Sequence, residues 1–530
     1  MLSKRFLTFV AVVALAAPLL ADAPGVFAIT GGTVHPVSGP EIANGVVVIR
    51  GGLIEAVGAN VAVPSDAAVI DAKGKHVYPG LIDAQTSLGF PSATPAARRR
   101  GAGPRPQTAT EQLPETSPAF LAMREGKLSD DDVQAKRGTG VTTILTVPAF
   151  GIFNGQSVVV DLGEGTMESR VIRNGATQQI SFLPRPAWTF PDSLMGVIAD
   201  IRQTMLDAQQ YAAAHAIYEK NPTGFKRPDE SPSSAALAPV LRRDVPVVFV
   251  ADSDLMMRRA IALAKEFNIR YVLSGARQAY KMPAELKDVP LLVSVKWPAP
   301  PATKEDRDEQ PLRVIRDRQL APTTPAVLQK SGVLFALVSG PGKTADFIPG
   351  IRKAIDNGLS PDDALRAVTI SPARILGVDR QLGSLDRGKI ANVIVTDKPI
   401  FAKEAKVTRV YIDGREAKLP SEDQKGKRGA ASSLEGAWSL IVKSSEGDVN
   451  FNVTFHVDGG SVTGSFSGDR GSGDIRSGSF EGTTVEFTIT ARAKAEGDDW
   501  LFHGTLSGTT LQGTVSTTLG TFPFSGSKGR

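Results

Sequence analysis

The side chains best suited to do chemistry in this chain stand at the ends of short apolar runs. Gln85 and Ser87 follow "PGLIDA", Asp252 follows "VPVVFVA", Ser274 and Arg277 close "IRYVLSGAR", Lys296 follows "VPLLVSV", and Ser339 follows "GVLFALV". Asp252 is the one candidate for general acid–base work, which needs a carboxylate within reach of the proton it moves. Arg277 and Lys296 suit a carboxylate or phosphate. Gln85, Ser87, Asp252, Ser274 and Ser339 can hydrogen-bond a small polar molecule. Asn154 and Gln156 join them in "FNGQS".

Other chemistries are excluded or weak. The chain has no cysteine, so disulfides, thiolate metal sites and cysteine nucleophiles are ruled out. Of its five histidines, His35 and His76 fall in an N-terminal β segment, and His456 and His503 in a C-terminal one. His215 sits in "QQYAAAHAIYEK", which reads as a helix. With no histidine at these strand ends and no G-x-S-x-G, a Ser-His-Asp triad is not expected. "SGPGKTAD" mimics a phosphate loop but has Leu337 where the pattern needs glycine. Its backbone amides at a helix start could still attract an anion. Asp252, Asp254 and Asp346 could together hold Mg²⁺ or Ca²⁺; the alternative is that Asp254 and Asp346 cap helices.

The elements that must position these residues follow from the patterning. The runs "GVTTILTVP", "VPVVFVAD", "IRYVLSG", "VPLLVSV" and "GVLFALVSG" are β-branched and apolar throughout, as parallel strands buried on both faces are. They alternate with helical patterns such as "DLMMRRAIALAKEFN" and "SPDDALRAVTISPARIL". The expected fold class is α/β: a (β/α)₈ TIM-like barrel over 79–388, in which active sites lie at the C-terminal strand ends. An open doubly wound sheet is the alternative, though no G-x-G-x-x-G follows its first strand. Residues 24–78 and 389–419 carry hairpin patterns of similar style and are expected to form a composite β-sandwich. Residues 90–118, rich in Pro, Ala, Arg and Thr, form a loop whose Arg98, Arg99 and Arg100 could attract anions. Residues 420–433 read as a linker. Residues 434–530 alternate strictly and turn on glycine, which predicts an antiparallel β barrel or sandwich.

The N-terminus has Lys4 and Arg5, then "FLTFVAVVALAAPLL", then "ADA". This order is that of a secretory signal peptide over 1–23. The expected location is therefore periplasmic or extracellular, with no transmembrane segment. A net charge of +5 on 530 residues, without a basic stripe interleaved with aromatics, gives no footprint for nucleic acid.

The ordered set "GGLIEAVG", "KGKHVYPGLIDA", "GVTTILTVP", "GLSPDDALRAVTISPARILGV" and "GSLDRGKIANVIVTD" resembles the amidohydrolase superfamily, nearest its imidazolonepropionase-like branch. The resemblance implies hydrolysis of non-peptide C–N bonds, often in cyclic amides, by water activated on Zn or another divalent metal. A bound metal lowers the pKa of water from about 15.7 to about 7. It also implies where the ligands belong: two histidines after the first barrel strand, one on each of the fifth and sixth, and an aspartate on the eighth. Those positions fall on Gln85, Ser87, Val250, Gly275 and Gly340. The fourth-strand bridging residue has no counterpart in the sequence. No metal site and no cofactor are therefore expected.

The reading that follows is an exported, catalytically degenerate amidohydrolase-like protein, a binding or assembly subunit for a small polar molecule. It would act as a homo-oligomer or beside an intact paralogue. The alternatives are an active amidohydrolase with a carboxylate-based site around Asp252, and a structural envelope protein.

Overall fold

A computed structural model describes residues 25–90, 116–184, 190–299, 310–340, 346–420 and 434–529, with short gaps in the last span. The expected signal peptide, Arg98–Arg100, the Gly342–Thr344 anion loop and nearly all of the linker lie outside the described residues.

Both ends of the first 420 residues build one eight-stranded sheet. Its strands are β1 (Phe27–Val34), β2 (Ile42–Arg50), β3 (Leu53–Gly58), β4 (Ala68–Asp71), β5 (His76–Pro79), β14 (Val393–Thr396), β15 (Val407–Ile412) and β16 (Arg415–Glu416). The two parts meet where β14 pairs antiparallel with β5, Ile394 opposite Tyr78. Alternate residues Ile29, Val47, Ile49, Val77, Val393 and Val395 form its buried core, as the period of two requires.

The chain between those ends forms a second eight-stranded sheet. In order these are β6 (Leu81–Thr86), β7 (Val141–Thr146), β8 (Phe153–Asp161), β9 (Val171–Ser181), β10 (Val247–Ala251), β11 (Tyr271–Gly275), β12 (Leu291–Ser294) and β13 (Phe335–Val338). Spatial order equals chain order. The sheet curls until its edges meet, and Gly340 N donates to the Gln85 carbonyl at 3.0 Å. The architecture is thus the barrel rather than the open sheet. It departs from a regular (β/α)₈ barrel in one place: β8 runs antiparallel to both β7 and β9. Its first residues, not its last, therefore lie at the mouth.

Every residue of β6, β7 and β13 is buried, because one face meets helices and the other the barrel interior. The interior cluster takes Ile82, Ala84, Leu145, Val159, Val248, Val272, Leu292, Ala336 and Val338, and the helix Ile370–Leu376 adds Ala373, Ile375 and Leu376. Ile82 N in β6 donates to the Val368 carbonyl, at the end of the helix Pro361–Ala367, at 2.8 Å. The seam between β6 and β13 is fastened by side chains. Nearer the mouth, Asp83 accepts from Ser339 N at 3.0 Å and Ser339 Oγ at 2.6 Å, and pairs with Lys136 Nζ at 2.5 Å. Lys136 comes from the helix Asp130–Gly138, which Ser129 caps by accepting from Asp132 N.

The C-terminal segment closes into an antiparallel barrel of eight strands, from β17 (Gly436–Ser444) to β24 (Gly520–Lys528), with β17 pairing β24. Its interior is filled by its own side chains, among them Trp438, Phe451, Phe455, Phe487, Trp500, Phe502 and Phe524. Phe487 stacks on Phe502 at 4.6 Å, and Phe524 meets Phe502 edge-on at 5.1 Å. Among the described residues no helix is long and apolar enough to cross a membrane.

Candidate functional site

A cavity of about 340 Å³ opens at the mouth of the first barrel, at the small end of the range that holds small molecules. Each strand end contributes for a local reason. The end of β6 delivers Gln85, and Ser87 follows it; β8 begins with Phe153 and Asn154, so its antiparallel course brings Asn154 to the rim. Gln179 and Ser181 come from β9, Asp252 follows β10, and Ser274 and Gly275 end β11. Lys296 follows β12, and Gly340 follows β13.

Six of the seven expected site residues line this cavity: Gln85, Ser87, Asp252, Ser274, Arg277 and Lys296. Ser339 does not. Side chains alternate across a strand, and Val338 and Gly340 take the cavity side, so Ser339 turns outward into the seam with Asp83 and Lys136. Its expected role in holding a ligand is corrected to one of closing the barrel. Gln156 is also drawn away, its amide reaching the Pro118 carbonyl at 3.5 Å.

The polar groups at the mouth are largely tied to one another. Gln85 Nε2 donates to Gln179 Oε1 at 2.8 Å across the barrel. Arg277 grips Asp252 with two bonds, Nη2 to Oδ2 at 2.6 Å and Nε to Oδ1 at 3.1 Å, and its Nη1 donates to the Lys296 carbonyl at 2.8 Å. Asn154 Nδ2 donates to the Phe150 carbonyl at 2.6 Å, which fixes its amide orientation. Two acceptors are left over. Among the described residues, Gln85 Oε1 and Asn154 Oδ1 are buried without a hydrogen-bond partner, in residues that are 5% and 1% exposed.

Gln179 was missed by sequence reasoning. The signal was there: "ATQQISF" sets two glutamines inside a β-branched stretch, which is unusual for a strand whose neighbours are all buried. Lys136 left no such signal, because a lysine in a capped helix reads as solvated. Asp254 does not cap its helix. Ser253 does so, accepting from Met256 N, and Asp254 is the first helical residue. Asp346 precedes the helix Phe347–Asp356 without a side-chain cap bond among the described residues.

The positions to which the resemblance assigns metal ligands do converge: Gln85, Ser87, Val250, Gly275 and Gly340 all line the one cavity. Their chemistry does not fit a transition ion. Valine and glycine offer no side-chain donor, and neutral Gln and Ser are weak ligands. Among the described residues no three His, Cys, Asp or Glu side chains gather to hold a metal.

A smaller crevice of about 130 Å³ lies where the end of β8 meets the β15–β16 turn, lined by Asp161, Glu164, Asp413 and Arg415 among others. Burial pushes the Asp161 carboxyl up to about 6, with nearby Asp413 adding to the rise and the Gly163 amide opposing it. Burial raises Asp413 as well.

Comparison with known proteins finds likeness to one family in part of the chain. Residues 314–417 match the sequence model of the Amidohydrolase family. The chain is 38% identical over 64 residues to an adenine deaminase of Clostridium botulinum (strain Loch Maree / Type A3), a match covering 12% of this chain and 10% of that one. It is 33% identical over 75 residues to a putative N-acetylgalactosamine-6-phosphate deacetylase of Escherichia coli (strain K12), covering 14% and 42%. These matches therefore span less than half the length of the curated relatives. Among solved structures, an amidohydrolase from Thermotoga maritima MSB8 superposes with a TM-score of 0.63 at 24% identity, over 74% of this chain and 100% of that one. That likeness shows the fold.

Proposed function

We propose that the chain is an amidohydrolase-superfamily protein, as the family match over 314–417 and the shared fold support, and that its barrel mouth binds a small amide-type molecule without metal-activated water, as a binding or assembly subunit. One observation carries this reading: in Gln85 and Asn154, two residues that line the cavity, Oε1 and Oδ1 are buried with no hydrogen-bond partner among the described residues. A buried acceptor without a partner costs about 1–3 kcal/mol, and a ligand bearing N–H groups would relieve that cost. The Gln85–Gln179 pair strengthens the point. One amide-to-amide bond uses one N–H and one carbonyl, so the pair always keeps a donor and an acceptor for a ligand, whichever way both amides are turned.

The alternative of a carboxylate-based hydrolase at Asp252 is weaker, because both oxygens of that carboxylate are engaged by Arg277. Export of the protein, its oligomeric state and a pairing with an intact paralogue belong to the same proposal and rest on the sequence.

The test is calorimetric titration of the purified chain with 2-pyrrolidinone, hydantoin and cyclic dipeptides, before and after dialysis against Zn²⁺. Saturable binding of at least one amide, unchanged by zinc and weakened about tenfold in Gln85→Leu, is expected, a factor of ten being 1.4 kcal/mol. One tightly held zinc per chain, or turnover that disappears in Asp252→Asn, would overturn the reading in favour of the active enzyme.

A further inference from the structure

The strand ends on which a metal's ligands would stand have a backbone that no longer accepts them. Gly275 ends β11 at φ 89, and Gly340 follows β13 at φ 67. Both values lie in the left-handed region that side chains other than glycine rarely adopt. At Gly275 the obstacle is also steric, since a Cβ there would overlap Asp252 Oδ1. At Gly340 a Cβ would come within 3.3 Å of Ser294 Oγ. The backbone follows the same course one residue later: Ala276 also has positive φ, at 46, and its N–H donates to the Ala251 carbonyl at 3.1 Å.

The group that takes up the space at Gly275 is the Asp252–Arg277 pair. Asp252 follows β10, Arg277 follows β11, and the Arg277 Nη1 bond to the Lys296 carbonyl reaches the end of β12. The Arg277 carbonyl in turn accepts from Thr324 Oγ1 at 2.8 Å, which adds the helix Thr324–Lys330. One guanidinium thus joins three successive strand ends. A fork of fixed donors suits that task, because each N–H is already aimed when the first bond forms. On the opposite side the Gln85–Gln179 bond ties β6 to β9.

We propose that Arg277, with Asp252, is the positioning residue that sets the shape of the barrel mouth in place of a coordinated ion, and that Gly275 is glycine to make room for their pair. The mouth is then a remodelled site in its own right, and restoring a single ligand side chain does not return it to a metal centre. The proposal concerns the same cavity as the function above but does not depend on any ligand being bound.

Its test is a coupling measurement on the full chain. Gly275→Ala, Asp252→Ala and the double variant are compared by thermal unfolding and by hydrogen–deuterium exchange of the segment 271–278. Gly275→Ala is expected to lower the melting midpoint of the barrel transition and to speed exchange in that segment. In the Asp252→Ala background the same change is expected to cost less than half as much, since the overlapping oxygen is gone and only the φ strain remains. If Gly275→Ala alone does not fold, recovery of folded protein in the double variant supports the proposal equally. An equal loss in both backgrounds overturns it, as would Arg277→Met exchanging no faster than the parent at the ends of β10, β11 and β12. A chain that binds no amide but shows this coupling would remove the proposed function and leave this inference standing.

Discussion

Two barrels of eight strands share this chain, and they use their interiors in opposite ways. The C-terminal barrel joins its strands by hairpins and fills itself with aromatic rings, Phe451, Phe487 and Phe502 at its centre. The first barrel joins most of its strands through helices and keeps aliphatic side chains inside, Ile82, Val248, Leu292 and Ala336 among them. Above that layer it ends in glycines, amides and an ion pair around a cavity of about 340 Å³. Strand number does not decide whether a barrel holds a ligand. An eight-stranded interior is just wide enough for side chains to fill or for one small molecule to enter, so the residues at the strand ends decide it.

The comparison can be broken at three strengths. The largest effect is expected from Phe502→Ala, which removes a ring that touches Phe451, Phe487 and Phe524. A loss of about 3–5 kcal/mol should melt the C-terminal barrel, read by the emission of Trp500 beside Phe451, while amide binding at the other barrel is unchanged. A coupled loss of both would mean that the two barrels are one cooperative unit.

The next tests the seam. Lys136 is 1% exposed and Asp83 0%, so Lys136→Met leaves a carboxylate buried without its cation. A cost of about 3 kcal/mol is expected, confined to the first barrel. Asp83→Asn added to Lys136→Met should recover part of it, as removal of both charges does where one alone is stranded. Urea unfolding of the single and double variants reads the difference, and no recovery in the double would show that the seam depends on packing rather than on charge.

The smallest effect is a pH dependence. Asp161 is pushed up to about 6 in the folded chain from an ordinary value of 3.8, so the native state holds its proton longer than the unfolded state does. That preference stabilises the fold fully below the unfolded pKa and fades as the pH rises through about 6. Relative to wild type, Asp161→Asn should therefore gain stability between pH 4 and pH 7, by about 2 kcal/mol. Unfolding midpoints of the first barrel at the two pH values check the sign, and a wild-type advantage that grows with pH would refute it.

Much of the fold was legible in the sequence because burial on both faces leaves an unmistakable apolar run: "GVTTILTVP" and "GVLFALVSG" became β7 and β13. The strict alternation of the C-terminal segment became a closed barrel for the same kind of reason, one face in and one face out. The antiparallel strand β8 and its partner β9 were less legible. "NGQSVVVDLG" and "NGATQQISF" carry polar side chains within the strands, and pairing with each other and with the strands on either side, rather than side-chain pattern, makes them strands.

What the sequence by itself determined is the donor chemistry. A chain with no cysteine, and with Gln85, Ser87, Val250, Gly275 and Gly340 where ligands would stand, has settled which atoms can be offered at the mouth, whatever its exact shape. What only the tertiary structure decided is which of those atoms are free. Asp252 is spent on Arg277, Ser339 on Asp83, and Gln85 on Gln179, while Gln85 Oε1 and Asn154 Oδ1 are left over. The reason is geometric: a step of one residue along a strand turns a side chain from the cavity to the seam, and partners as far apart as Asp83 and Ser339 meet only when the sheet has curled shut.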